Sequence, residues 1–260
     1  MRFYDASRIE SLAVPVEFIE QVMQELGGFE DLVIIGATAR DLLASHAGNL
    51  PIQRITKDLD VAVAVSTMGR YRHLTARLQA RHSEPQFLLE GRPVDVIPFG
   101  GVERARHVTF ENDHRLDVTG LAEAAASKVS VVLRQDLAVP VASLAAQCAL
   151  KVLAWRDRRY VARDKDALDL CLLLEASSRG VYEDSVWSDV EALEATAYDV
   201  SEAGAYRTGR EAAALFESEP RDLIGRLLRD VEFTYQLGRA MSSSSGGRLL
   251  AAFAFGYASL

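Results

Sequence analysis

Apolar residues follow two different periods along the chain, and the change between them divides the sequence. In the first half, short runs of β-branched and aliphatic residues dominate, at residues 33–35, 61–65, 87–89, 94–99, 129–133 and 137–141. Runs of this length bounded by Gly, Pro, Asp and other turn residues predict strands. Residues 87–89 and 94–99 read as a pair joined by the turn Glu90-Gly91-Arg92-Pro93, residues 129–133 and 137–141 as a hairpin or successive short strands, and residues 108–110 as an added edge. Helical spacing in this half is limited to Ile19, Val22, Met23 and Leu26, expected to cover the sheet, and to Tyr71, Leu74 and Leu78.

Beyond Pro140 the pattern becomes helical. Ser143 suits the cap of a first helix, and further helices are expected at residues 165–176, at 185–195, and after Pro220, where one long helix would hold Leu223, Leu227, Leu228 and Val231. The run Ser-Ser-Ser-Ser-Gly-Gly at residues 242–247 reads as a flexible break, followed by an apolar tail that reads as a last helix docking on the others, favoured over a partner-binding or membrane-surface element because basic flanking charge is sparse. The expected organisation is an α/β domain over residues 1–141 and a helical domain over residues 142–260.

Against this pattern a few polar residues stand out. Asp58 and Asp60, in T-K-D-L-D at the mouth of one strand, point the same way because strand side chains alternate faces, about 6.6 Å apart at 3.3 Å per residue. Asp95 lies between two valines in V-D-V-I-P-F-G, and an acid in an apolar strand is costly to bury unless paired or metal-bound. A neighbouring strand is only about 4.8 Å away, so the three carboxylates fit one cluster suited to a hard cation that bridges nucleotide phosphates. In V-I-I-G-A-T-A-R-D-L-L, Gly36 lets the backbone at a helix start approach an anion closely. Singly, each fragment has an ordinary explanation: a second D-x-D occurs at Asp164 and Asp166 in a helical segment, and small-residue turns punctuate many folds. Lys151, in A-L-K-V-L-A-W, is surrounded by apolar residues and needs a partner.

Together, G-A-T-A-R-D-L-L, T-K-D-L-D and V-D-V-I-P-F resemble the polymerase-beta-type nucleotidyltransferase superfamily. The first of them is also similar to the head of tRNA nucleotidyltransferases and bacterial poly(A) polymerases. From Ala149, A-L-K-V-L-A-W-R-D-R-R-Y-V-A-R-D-K-D-A-L-D-L-C-L-L-L is similar to the lysine helix and the following D-x-x-D-L helix of AbiEii-like toxins of type IV toxin–antitoxin pairs. The resemblance spans about residues 30–175. It implies an α+β fold, a polymerase-beta-like nucleotidyltransferase domain with a mixed sheet followed by a C-terminal helical domain.

The resemblance further implies that Gly36, Ala37 and Thr38 cradle the triphosphate, with Arg40 in the nucleotide-binding set. Asp58, Asp60 and Asp95 would hold magnesium, with manganese the alternative, and Asp95 would help deprotonate the attacking hydroxyl. Lys151 would face the nucleotide phosphates, and Asp166 and Asp169 would support the nucleotide pocket or orient the lysine. The family usually has Gly-Gly or Gly-Ser at the turn. Ala37 removes that serine hydroxyl, leaving Thr38 or backbone amides to replace it. The implied reaction moves a nucleoside monophosphate from a nucleoside triphosphate to a hydroxyl. The acceptor is left open among a tRNA 3′ end, with a cognate antitoxin as partner, a small antibiotic-type molecule and a protein side chain. Ala37 also motivates a degenerate, nucleotide-binding alternative.

Composition narrows the classes further. With 260 residues and 49% hydrophobic content the chain can bury a substantial core, and its net charge of −8 argues against a broad grip on nucleic acid. Locally, Arg156, Arg158, Arg159 and Arg163, with Tyr160 among them, either meet a tRNA end or triphosphate, or pair with Asp157 and Asp164 in a solvated loop. Cys148 and Cys171 sit in apolar helical patterns and read as core residues, and the five histidines show no paired zinc spacing. No secretory signal is expected at M-R-F-Y-D-A-S-R and no apolar stretch reaches the length of a membrane span, so the expected setting is cytoplasmic, with no membrane partner.

Overall fold

The computed structural model describes residues 3–7, 12, 14–47, 50–51, 58–161, 164–216 and 218–260, without the side chains of residues 3 and 45–47. Thr56, Lys57 and Arg163 of the sequence motifs lie outside the described residues. Two compact units are present, one drawn from residues 1–41 and 52–142, the other from residues 42–51 and 143–260.

In the first unit the elements run β1 (Phe3–Asp5), α1 (Val16–Glu25), β2 (Leu32–Ile35), α2 (Gly36–Asp41), β3 (Leu59–Val65), α3 (Met68–Thr75), β4 (Gln79–Ala80), β5 (Gln86–Leu89), β6 (Arg92–Gly100), β7 (His107–Thr109), β8 (Arg115–Asp117), α4 (Leu121–Ala126), β9 (Val129–Arg134) and β10 (Leu137–Val141). Eight strands make one mixed sheet in the order β1-β9-β10-β2-β3-β6-β5-β4. Its central strand β2 is buried at every position, because a strand covered on both faces must be apolar throughout. β2 runs antiparallel to β3, and β3 parallel to β6, which fixes the relation among the three motif-bearing segments. α1 buries Phe18, Ile19, Val22 and Met23, each a contribution of about 1.5–3 kcal/mol for a large apolar side chain.

Two expectations in this unit are corrected. Residues 108–110 do not edge the main sheet: β7 pairs with β8 in a separate two-stranded sheet. The turn before β6 is shorter than four residues, because Glu90 and Gly91 both take positive φ, the requirement of a two-residue hairpin turn, and pairing resumes at Arg92.

The second unit contains a π-helical segment at Leu42–Ala47, then α5 (Leu144–Arg158), α6 (Lys165–Ala176), α7 (Glu183–Trp187), α8 (Val190–Ala195), α9 (Val200–Leu215), α10 (Ser218–Arg229), α11 (Val231–Ala240) and α12 (Gly246–Ala258). Ser143 caps α5 by accepting from the Ala146 amide. α9 and α12 cross at backbone contact: a Cβ at Gly209 would overlap the Phe253 carbonyl oxygen, and one at Gly256 the Tyr206 carbonyl oxygen. Residues 185–195 form parts of two helices rather than one, because Asp189 accepts from the Ala192 amide and restarts the helix. Likewise Asp230 caps Phe233, so Val231 opens α11 and is not in the helix of Pro220. Residues 242–245 do break the chain between α11 and α12. The Ser243 hydroxyl donates to Glu175 at 3.2 Å, and Gly246 is buried at the start of α12. Among the described residues no helix is long and apolar enough to cross a membrane.

Candidate active site

Where β2 passes into α2, Gly36 takes φ +69°, and a Cβ there would stand 2.7 Å from Asp60 Cγ. The Asp60 carboxylate therefore lies directly against the turn, a closeness that only glycine permits. On its other side Asp60 is in register with Asp95 across the parallel β3–β6 pair. Registered partners on neighbouring strands share a face of the sheet, about 4.8 Å apart. Both aspartates are half-buried and flanked by fully buried valines, Val61 after the first and Val94 and Val96 around the second.

Asp58 stands just before β3, outside the ladder that would impose strand alternation, and its carboxylate is 3.9 Å from the Arg81 guanidinium. The structure thus brings together Asp60, Asp95 and Gly36, whereas Asp58 turns to Arg81. Among the described residues no group of three or more His, Cys, Asp or Glu is arranged to hold a metal ion. Two registered carboxylates nevertheless suit a hard cation, since magnesium is commonly held by one or two carboxylates with phosphates and water completing its shell. The Asp95 charge is felt nearby. Tyr71 donates its hydroxyl to the Val96 carbonyl at 2.9 Å, and its phenol is pushed well above the usual range by burial first, then by Glu84 and Asp95.

Within the turn, Ala37 and Thr38 are buried, and Thr38 Oγ1 finds no hydrogen-bond partner among the described residues. An orphaned buried hydroxyl costs about 1–3 kcal/mol, so this one fits a site completed by an external acceptor or donor. Arg40 is 2% exposed, and its guanidinium donates twice to Asp41 Oδ1, at 2.8 and 2.5 Å. That buried ion pair lies within α2.

In the helical unit Lys151 is buried on α5 and donates to Asp166 Oδ1 at 3.1 Å and Asp169 Oδ2 at 2.7 Å. The two aspartates lie three residues apart on α6 and so share its face. Arg158 adds a bond to Asp166 at 2.8 Å. An ammonium has three donors, and the carboxylates of Asp166 and Asp169 take two of them among the described residues. One helical turn to either side of Lys151, the buried donors Gln147 Nε2 and Trp155 Nε1 lack partners among the described residues. Reading the sequence missed these two. Their spacing of four residues on each side of Lys151 was the available signal.

The described arginines at the end of α5 are engaged internally. Arg156 grips Asp157 at 2.5 and 2.8 Å, Arg158 holds Asp166, and Arg159 lies over the Tyr160 ring at 4.6 Å. Burial pushes the Cys148 thiol far up and the Cys171 thiol up to about 12, the latter with help from Glu175, so both cysteines are unreactive core residues.

The family model described as nucleotidyl transferase AbiEii toxin, type IV TA system, matches residues 18–243 of this chain. No curated protein matches it.

Proposed function

The chain belongs to the AbiEii family of nucleotidyl transferase toxins of type IV toxin–antitoxin systems, and from that premise we propose that it transfers a nucleoside monophosphate from a nucleoside triphosphate to a tRNA 3′ hydroxyl. The reading is supported above all by Asp60, in register with Asp95 and pressed against the Gly36 turn. The acceptor oxygen attacks the α-phosphorus, the bond to the β-phosphate oxygen breaks, and pyrophosphate leaves. Asp95 takes the hydroxyl proton. Asp60 and Asp95 would hold magnesium, or manganese in its place, and such an ion supplies charge neutralisation at the phosphate oxygens. Asp58 joins them by giving up Arg81.

The Gly36 to Thr38 turn takes the triphosphate, with the partnerless Thr38 hydroxyl standing in for the family's usual serine. Asp166 and Asp169 hold the Lys151 ammonium in place, and the resemblance assigns that cation to the nucleotide phosphates. A fixed cation of this kind acts most strongly in a buried setting, where it needs no reorganisation. Membership of a toxin–antitoxin family also implies an antitoxin as partner.

The test is incubation of the purified protein with magnesium, each α-labelled nucleoside triphosphate in turn, and total tRNA. Label enters tRNA with the intact chain, and Asp60→Asn or Asp95→Asn lowers the rate by about 10²-fold or more. Pyrophosphate release without labelled tRNA moves the acceptor to a small molecule or protein. Nucleotide-dependent thermal stabilisation without any product leaves only a binding module.

A further inference from the structure

From residue 61 to residue 83 the chain has no acidic residue, although acids outnumber bases overall by 37 to 29. The same stretch carries Arg70, Arg72, His73, Arg77, Arg81 and His82, all exposed. We propose that the row Arg70, His73, Arg77 and Arg81 is a docking track for the phosphodiester backbone of an RNA acceptor, a proposal that rests on the polynucleotide reading above.

Three observations carry it. First, the row has a fixed direction. Thr67 caps α3 by accepting from the Arg70 amide, and α3 turns Tyr71 and Thr75 into the core. Arg70, His73 and Arg77 then fall at i, i+3 and i+7 along an exposed flank, with Ala76 still in helical conformation between the last two. α3 ends at Thr75, and at helical rise the seven steps from Arg70 to Arg77 would cover about 10 Å, the span of about three phosphates at 3.4 Å per nucleotide of a helical strand.

Second, the row ends beside Asp58, two residues before Asp60 of the candidate site. The chain passes from Arg77 through β4, the outermost strand of the sheet, to Arg81, whose guanidinium stands 3.9 Å from Asp58. Third, the charges are available. Arg70 has no acidic partner among the described residues, and Arg77 is 79% exposed with only Glu25 at 3.4 Å. Exposed pairs of that kind are worth about 0–1 kcal/mol, so an RNA phosphate competes with them readily. On a chain of net charge −8, which repels nucleic acid as a whole, segregation of basic residues on one flank is what contact with a polyanion requires.

The experiment measures equilibrium binding of fluorescently labelled tRNA to the intact chain over about 50–200 mM salt. Arg70→Gln/Arg77→Gln should weaken binding about tenfold and lower the slope of log K against log salt by about 1.4 to 1.8, as expected for two lost phosphate contacts. Arg70→Glu/Arg77→Glu should weaken it further. A control, Arg179→Glu/Arg239→Glu, makes the same change in net charge at exposed positions of the helical unit and should leave both quantities as they were. Melting curves establish that each variant is folded. Unchanged affinity and slope in the first two variants overturn the proposal, as does an equal loss in the control. Row-dependent binding of polyglutamate without binding of tRNA also overturns it, in favour of an acidic protein partner. Binding is read without turnover, so failure of nucleotide transfer with row-dependent tRNA binding defeats the proposed reaction alone, and active transfer with row-independent binding defeats the track alone.

Discussion

Gly36 carries no Cβ, and the Asp60 carboxylate occupies the space that one would fill. Gly36→Ala must therefore move Asp60 out of register with the turn, and it adds the cost of a left-handed backbone, about 1–2 kcal/mol per non-glycine residue. With overpacking of about 1–3 kcal/mol, the variant should lose about 2–5 kcal/mol in urea unfolding and most of its transfer activity. Full activity in that variant would show that the Asp60 position does not matter to the reaction. Lys151 poses the opposite problem, a charge that cannot be removed alone. Lys151→Met takes the shared ammonium from Asp169 and from Asp166, which keeps Arg158, and should cost up to about 3–5 kcal/mol. The triple variant Lys151→Met/Asp166→Asn/Asp169→Asn should recover part of that loss, because no uncompensated charge remains buried. A single-variant cost below about 1 kcal/mol in urea unfolding would mean that the carboxylates are not buried charges. Asp60, Asp95 and Lys151 were visible in the sequence because a charge inside an apolar run is conspicuous. Gln147 and Trp155 were not, since a neutral polar residue on a helix shows its missing partner only once its neighbours are placed.

At the scale of elements, the strands bearing the motifs were legible because each is an apolar run closed by turn residues, and the β9–β10 hairpin formed as expected. The helical half was legible in kind but not in its breaks. Asp189, Asp199 and Asp230 each begin a helix by capping it, signals masked by surrounding charged residues that alone suggest longer helices. α9 was overlooked for a different reason. Its buried face is made of Ala203, Gly204, Ala205, Thr208, Gly209, Ala212 and Ala213 beside Tyr206, residues too small to produce a strong apolar period. That smallness lets α12 approach to backbone contact and reverses the usual effect of a helical glycine. Gly209→Ala, which by propensity alone should gain about 1 kcal/mol, should instead cost about 1–3 kcal/mol or more. Gly247→Ala, on α12 with nothing within 4 Å of its would-be Cβ, should gain up to about 1 kcal/mol. Urea midpoints at constant slope measure both, and equal shifts in the two variants would contradict the close crossing.

Across the whole molecule, the change from strand period to helical period near Pro140 was plain in the sequence, but the affiliation of residues 42–51 was not, because chain order does not reveal it. These residues belong to the compact unit formed by residues 143–260. Ala44 is fully buried in a cluster with Leu172 and Ala176 of α6, and Leu50 packs against the same cluster. Leu42 and Leu43 are also fully buried. A fragment of residues 143–260 therefore lacks part of its own core, at about 1.5–3 kcal/mol for each large apolar side chain left without cover. Set against the 5–15 kcal/mol by which native domains are stable, losing three leucines is close to decisive. The fragment should be helical by far-ultraviolet circular dichroism, bind a hydrophobic dye, and melt without a sharp transition. A synthetic peptide of residues 42–51, added in excess, should sharpen and raise that transition in proportion to the logarithm of its concentration, as mass action requires of a ligand that binds only the folded state. A fragment that melts cooperatively on its own and ignores the peptide would show that the helical unit closes its core without residues 42–51.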